Sequence, residues 1–146
     1  MKNLLIISFL LALFFSCKKD ESLDPAPKIT LVGITPNTIT ALKDSIVFTI
    51  GYIDSDGDLG ENTADAKNIF ITDNRLQITY KMRIPQLAPT GASVSIKGNV
   101  NVVLTNTILS DDSKTEETGT FSIYMIDRAG HKSNTVNSST VKIVKE

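Results

Sequence analysis

The stretch Ile46-Val47-Phe48-Thr49-Ile50-Gly51-Tyr52 indicates the fold class. Its large apolar side chains fall on every second residue, so Ile46, Phe48, Ile50 and Tyr52 share one face of an extended chain. Successive side chains of a β-strand point to opposite sides, and this period predicts a strand with one face in a core. Nowhere does the chain show a convincing helical period.

The same alternation recurs along most of the chain after residue 28. In residues 76–84, Ile78, Tyr80 and Ile84 take one face, and Lys81 and Arg83 take the opposite one. Seven strands result, each with one apolar face, as in a sheet that covers a core on one side. The strands are expected at residues 29–34, 46–52, 69–72, 76–84, 94–104 (with Val94 on the apolar face), 121–125 and 141–143.

Seven short strands in about 120 residues predict an all-β fold, a seven-strand antiparallel two-sheet sandwich of immunoglobulin or fibronectin-III type. A jelly roll or small barrel is the alternative, and it usually needs an eighth strand. Turn chemistry separates the strands. Residues 111–119 form a polar acidic loop, and Gly130 supplies a positive φ to a tight hairpin at residues 128–131. In this strand order the loops after the second, fourth and sixth strands meet at one pole.

Composition limits the function classes. The 146 residues fit one domain, and 15 basic against 16 acidic residues give a net charge of −1, without the cationic surface of a nucleic-acid-binding protein. A single Cys excludes an internal disulfide framework, and a single His excludes a His-rich metal cluster. Trp is absent and aromatics make up 6% of the chain, which disfavours a sugar-stacking surface.

The N-terminal segment has the pattern of a secretory signal. Residues 4–15 are apolar except for Ser8, a run too short to cross about 30 Å of hydrocarbon. Ser16-Cys17 at its end resembles a bacterial lipobox, of the looser kind found in Bacteroidota. The resemblance implies cleavage before Cys17, a lipid thioether on its sulfur, and acylation (palmitate) of the new N-terminus. The alternative is an ordinary signal peptide with an incidental thiol.

Three segments follow from these patterns. Residues 1–16 are the expected lipoprotein signal peptide, residues 17–27 a lipidated tether with two prolines, and residues 28–146 the β-sandwich domain. Two or more acyl chains anchor a protein stably, so the membrane is an expected partner through Cys17.

Two motifs together resemble a group of small Bacteroidota lipoproteins. The motifs are Asp-Ser-Asp-Gly-Asp-Leu-Gly at residues 54–60 and Asp-Arg-Ala-Gly-His-Lys-Ser-Asn at residues 127–134, where His131 replaces the usual Asn. The resemblance covers nearly all of the mature chain. It implies a lipid-anchored protein of the outer membrane, and the acidic residues after Cys17 resemble the signal for exposure at the cell surface. The periplasmic face is the alternative location.

The first of these motifs is a candidate calcium site. Asp54, Asp56 and Asp58 recur at every second residue, and carboxylates this close repel unless they are solvated, protonated or bridged by a cation. Ca²⁺ takes six to eight oxygen ligands from such loops. The spacing does not match an EF-hand, so Glu61, Asp65 or a backbone carbonyl would complete the ligand shell.

The hairpin after the sixth strand adds two residues to this hypothesis. Asp127 is a further candidate ligand, because its loop is expected at the same pole as the aspartates. Arg128 is the competing candidate, a counter-charge that would make the metal unnecessary and leave a solvated acidic turn. His131 is expected to have no acidic or nucleophilic partner, and hence no catalytic role.

These observations favour a non-enzymatic protein, because a lipidated Cys17 and an isolated His131 leave no nucleophile–base pair. We expect a structural or protein-interaction module of the cell envelope with an envelope protein as partner. A glycan- or ligand-binding surface module, which calcium at the aspartate loop would stabilise, is the alternative. No other cofactor is expected.

Overall fold

The structure is a computed structural model that describes residues 24–146. The expected signal peptide, Cys17 and the first part of the tether lie outside the described residues. Within the described part, all regular secondary structure is β-strand, which confirms the all-β prediction. None of these residues belongs to a helix long and apolar enough to span a membrane.

Ten strands form three sheets rather than the predicted two. The first sheet has the order β1-β3-β6, the second β5-β4-β8-β9, and the third β2-β10-β7. The strands are β1 (Lys28–Thr35), β2 (Thr38–Thr40), β3 (Ile46–Asp54), β4 (Ile69–Asp73), β5 (Ile78–Met82), β6 (Ile96–Leu104), β7 (Glu116–Gly119), β8 (Phe121–Met125), β9 (Val136–Asn137) and β10 (Val141–Val144).

The predicted count of seven strands is wrong, because β2, β7 and β9 were not expected. All three are short, at three, four and two residues. β7 lies within the segment interpreted as an acidic loop, and only Gly119 of its residues is buried. β2 pairs with β10 in parallel, so the sheets are not purely antiparallel.

Two finer assignments also need correction. Val94 is 51% exposed, because β6 begins only at Ile96, where its pairing with β3 ends. In β5, Ile78 is 44% exposed although it shares the parity of the buried Ile84. Strand β5 lies at the edge of its sheet, so its side chains have a neighbouring strand on one side only.

The core joins all three sheets and is consistent with a β-sandwich. Ile46, Phe48 and Ile50 of β3 are fully buried, as predicted. The Phe48 ring meets Phe121 of the second sheet edge to face, with 5.3 Å between ring centroids. Buried core residues run from Ile29 to Ile143, so the described part of the chain contains a hydrophobic core of its own.

Candidate metal centre

The three aspartates follow directly from the end of β3. Asp54 is the last residue of that strand, and the chain then turns sharply through Gly57 and Gly60, whose φ angles are +75° and +82°. A side chain at Gly57 would collide with the Val94 carbonyl oxygen, and one at Gly60 with the Pro85 carbonyl oxygen. Glycine at these two positions therefore lets the chain fold tightly against the segment that follows β5.

The loops expected at one pole do meet there. Leu87 N donates to the Leu59 carbonyl over 3.2 Å, which joins the loop after β5 to the aspartate loop. Ala129 N, in the hairpin after β8, donates to Asp58 Oδ2 over 3.0 Å. The prediction that these loops meet at one pole is confirmed. We call this region, formed by residues 54–60, Leu87 and Ala129, the tether end.

The linker also reaches the tether end. Ser55 Oγ donates to the carbonyl oxygen of Asp24 over 2.7 Å. The side chain of Asn134 then pairs with the backbone of Ile29 in β1, accepting from its N–H over 2.8 Å and donating to its carbonyl over 2.9 Å. The first described residues are thus tied to both motifs that the sequence singled out.

Asp54, Asp56 and Asp58 converge on one point. One carboxylate oxygen of each lies within 4.8 Å of the other two. The Oδ1 atom of each is shielded from solvent and has no hydrogen-bond partner in the described structure. The Asp54 residue as a whole is fully buried.

The second oxygen of two of these carboxylates is held by the backbone. Asp54 Oδ2 accepts from Leu59 N over 2.8 Å, and Asp58 Oδ2 accepts from Ala129 N. These bonds fix the carboxylates with their Oδ1 atoms free. The arrangement can therefore present three anionic oxygens to a cation without moving the loop.

Burial and mutual repulsion disfavour the charged forms of these groups. Desolvation raises the pKa of Asp54 to about 6, although the bond from Leu59 N opposes the shift. The close approach of the Asp56 carboxyl group, which can share a proton with Asp54, and the charges of Asp56 and Asp58 add to the rise. Desolvation also raises the pKa of Asp58, together with the nearby charges of Asp127 and Asp56. The negative charges of this cluster are therefore not neutralised by a cationic side chain of the described residues.

The structure does not bring Asp127 into the cluster, because both of its oxygens are engaged elsewhere. Asp127 Oδ1 accepts from His131 N over 2.8 Å, and Oδ2 lies 3.0 Å from His131 Nδ1. The expectation that His131 lacks an acidic partner is therefore wrong. The signal that could have found it was the four-residue spacing across a tight hairpin, whose ends are adjacent in space.

Arg128 does not pair with the aspartates either. Its guanidinium donates to the Gly60 carbonyl oxygen over 2.8 Å and to that of Gly57 over 3.4 Å. No ion pair links Arg128 to a carboxylate in the described part of the chain. The other two candidate ligands also lie outside the cluster: Glu61 accepts from Thr63 Oγ1 over 2.7 Å, and Asp65 is exposed.

A second acidic group lies at the other end of the domain from the aspartate loop, where β4 ends at Asp73. Its charges are paired. Arg75 binds Asp73 with two nitrogens, Nη2 to Oδ2 over 2.6 Å and Nε to Oδ1 over 3.1 Å, and binds Glu117 Oε2 through Nη1 over 2.9 Å. Bonds from the Ser110 hydroxyl and backbone N–H are the main reason that the pKa of Glu117 falls to about 2. We call the region of Asp73, Arg75 and Glu117 the far end.

Comparisons with known proteins add little to this geometry. No protein-family model matches the chain, and no curated protein does. Among solved structures, the chain is similar to a crystal structure of a mutant SrpA adhesin from Streptococcus sanguinis, with 16% sequence identity and a TM-score of 0.39. The match covers 83% of this chain and 57% of the adhesin chain, so the chain spans little more than half of that protein's length.

Proposed function

We propose that this chain is a lipid-anchored, non-enzymatic module of the bacterial outer membrane, held by Cys17 and acting as a structural or protein-interaction subunit at the cell surface. Its domain is a sandwich of immunoglobulin or fibronectin-III type, and the protein belongs with the small Bacteroidota lipoproteins that its motifs resemble. The single Cys at the end of the apolar run supports the anchor.

The contact between Ser55 and Asp24 is the observation that carries the proposal. It brings the linker to the domain at the tether end, only seven residues after Cys17. The eleven residues of the tether reach at most about 36–40 Å when fully extended. A domain anchored in this way has its tether end toward the membrane and its far end directed outward, available to a partner.

The aromatic side chains favour a protein partner over a glycan. Tyr124 stacks on Phe70 with 4.7 Å between ring centroids, and Lys132 Nζ lies 3.9 Å from the Tyr124 ring centroid. Because the neighbouring ring and the ammonium group occupy its faces, Tyr124 is not free to stack on a sugar. The outer face of the first sheet instead exposes Ile53 and Val103, at 56% and 49%.

The His131–Asp127 pair has a structural role in this proposal. Asp127 accepts from both the backbone and the ring of His131, and Asp127 N donates to the His131 carbonyl over 3.1 Å. Together these bonds close the hairpin that holds Asp58. The alternative function, a glycan- or ligand-binding module, keeps the same anchor and fold.

Labelling of the full-length protein with radioactive palmitate in a Bacteroidota host tests the anchor. We expect label in the wild type and none in Cys17→Ser, which should also stay uncleaved. A matched control, Cys17→Ser combined with Ser22→Cys, restores a thiol five residues away and should remain unlabelled. Incorporation by Cys17→Ser at the wild-type level would contradict the proposal.

Photo-crosslinking from position 103 of the anchored protein in the same cells distinguishes the two functions. We expect discrete protein adducts from that position and none from position 129, an exposed residue of the hairpin at the tether end. Selective binding on a glycan array that is lost in Tyr124→Ala, with no protein adduct, would favour the alternative function.

A further inference from the structure

We propose that Asp54, Asp56 and Asp58 form a Ca²⁺ site at the tether end of the domain. The three carboxylates supply the protein ligands, and water or backbone oxygens supply the remaining positions of a six- to eight-coordinate ion. This inference is independent of the lipid anchor, since a chain without its lipid has the same loop.

The buried Asp54 side chain separates this group from an ordinary acidic turn. Its Oδ1 atom is shielded from water, has no protein partner, and belongs to a residue that is fully buried. A buried polar atom without a partner is costly, and native proteins leave few of them. Asp56 and Asp58 contribute further unpartnered Oδ1 atoms, so three of the four buried side-chain polar atoms without partners in the described residues belong to this turn, the fourth being Thr107 Oγ1.

The spacing of the oxygens suits a common ion. Two oxygens at the Ca²⁺ bonding distance of about 2.3–2.6 Å can stand at most about 4.6–5.2 Å apart across one ion. One carboxylate oxygen from each of the three aspartates lies within 4.8 Å of those of the other two. The bonds from Leu59 N and Ala129 N hold two of the carboxylates in place, so binding requires little rearrangement.

The charges at the site favour a divalent cation, because three carboxylates with oxygens within 4.8 Å of one another repel unless a cation lies between them. One Ca²⁺ neutralises two of the three carboxylates. The guanidinium of Arg128 is bound to the carbonyls of Gly57 and Gly60 in the same loop.

Ca²⁺ fits this environment better than Mg²⁺. Mg²⁺ requires near-ideal octahedral geometry at about 2.0–2.1 Å and gives up its waters reluctantly, whereas Ca²⁺ accepts irregular shells of carboxylates. Three protein carboxylates in an irregular turn, each with its Oδ1 atom shielded from solvent, match the second description. The ion would link the aspartate loop to the hairpin through Asp58, and to the linker through Ser55.

Titration calorimetry on residues 18–146, freed of metal, tests the site directly. We expect one Ca²⁺ per chain, with a dissociation constant no weaker than about 10⁻³ M, the range of extracellular calcium modules. Mg²⁺ should bind at least tenfold more weakly. Thermal melts should show a higher midpoint in millimolar Ca²⁺ than in EDTA.

Two variants make the result specific. Asp56→Asn replaces a charged carboxylate that makes no bond to the backbone by a neutral amide, and the lost charge should weaken Ca²⁺ binding at least tenfold. Asp65→Asn, an exposed acid in the same connection but outside the cluster, should bind as the wild type does. Circular dichroism checks that each variant folds, and Asp58→Asn replaces Asp56→Asn if the latter does not.

Three results would overturn the site. They are the absence of Ca²⁺ heat together with equal melting midpoints, undiminished binding by a folded Asp56→Asn, and an equal loss in Asp65→Asn. Loss of palmitate labelling would bear on the anchor alone, so failure of the site and failure of the proposed function are distinguishable.

Discussion

The two acidic ends of this domain handle buried carboxylates in opposite ways. At the far end, Arg75 binds Asp73 through two nitrogens and also binds Glu117, so the buried charges are paired. At the tether end, Asp54, Asp56 and Asp58 face one another, and Arg128 donates to carbonyl oxygens. At the far end, protein groups alone neutralise the carboxylates. At the tether end, three carboxylate oxygens have no protein partner and are available to a ligand.

An arginine that lies near acidic residues in sequence need not be their counter-charge. Arg75 follows Asp73 by two residues in a tight turn, and its guanidinium folds back onto that carboxylate. Arg128 lies beside Asp127 in sequence, but the hairpin directs its side chain to Gly60 and Gly57. Side-chain direction within a turn decides between these outcomes.

Removal of the arginine at the far end should have the largest effect. Arg75→Ala leaves Asp73 and Glu117 buried without their cation, and loss of one partner of a buried ion pair costs about 3–5 kcal/mol. Urea melts at pH 7 measure the loss. Arg83→Ala is the matched control, because its exposed guanidinium contacts only the carbonyls of Glu61 and Asn62.

We expect Arg83→Ala to cost under about 1 kcal/mol, as surface substitutions usually do. Similar losses for Arg75→Ala and Arg83→Ala would mean that the far end is not held by its ion pairs. The contrast between the two ends would then fail.

The sequence predicted the elements that bury apolar faces and missed those that do not. Ile46, Phe48 and Ile50 are buried as predicted, because alternation and burial coincide in β3. Strand β7 is polar and is formed mainly by backbone pairing with β10, which leaves no apolar period to detect. Val94 continues the apolar alternation beyond Ile96, the first residue of β6. It was assigned to the buried face because sequence alone does not show where the pairing of a strand ends.

The sequence likewise predicted one part of the candidate site and missed another. The spacing of Asp54, Asp56 and Asp58 placed three carboxylates in one short turn, and strand order brought the right loops to it. The directions of the Asp127 and Arg128 side chains depend on the hairpin geometry around Gly130, whose φ is +92°. Local sequence therefore indicated the cluster but not which neighbours would complete it.

The pH dependence without metal should reveal the penalty at the tether end. The folded pKa of Asp54 is about 6, against an ordinary value of 3.8, so between these values the folded state binds more protons than the unfolded state. The free energy of unfolding should therefore fall as pH rises from about 4 to 6. The loss is at most about 3 kcal/mol, at about 1.36 kcal/mol per pKa unit.

Urea melts in EDTA from pH 4 to 8 measure this effect. Asp54→Asn cannot ionise, so its stability relative to the wild type should increase across the same interval. Glu117 has the opposite sign, since its lowered pKa stabilises the fold above about pH 4.5 and that contribution disappears as pH falls through about 2. Parallel pH profiles for wild type and Asp54→Asn would show that Asp54 carries no penalty.

Amide hydrogen exchange with and without Ca²⁺ tests the contrast between the two ends most directly. At the tether end, the N–H groups of Leu59 and Ala129 donate to Asp54 and Asp58. At the far end, those of Arg75 and Ser110 donate to Asp73 and Glu117. Under conditions where exchange proceeds by local opening, Ca²⁺ should slow the first pair and leave the second pair unchanged. Equal slowing at both ends, or none at Leu59 and Ala129, would contradict a tether end that a cation completes.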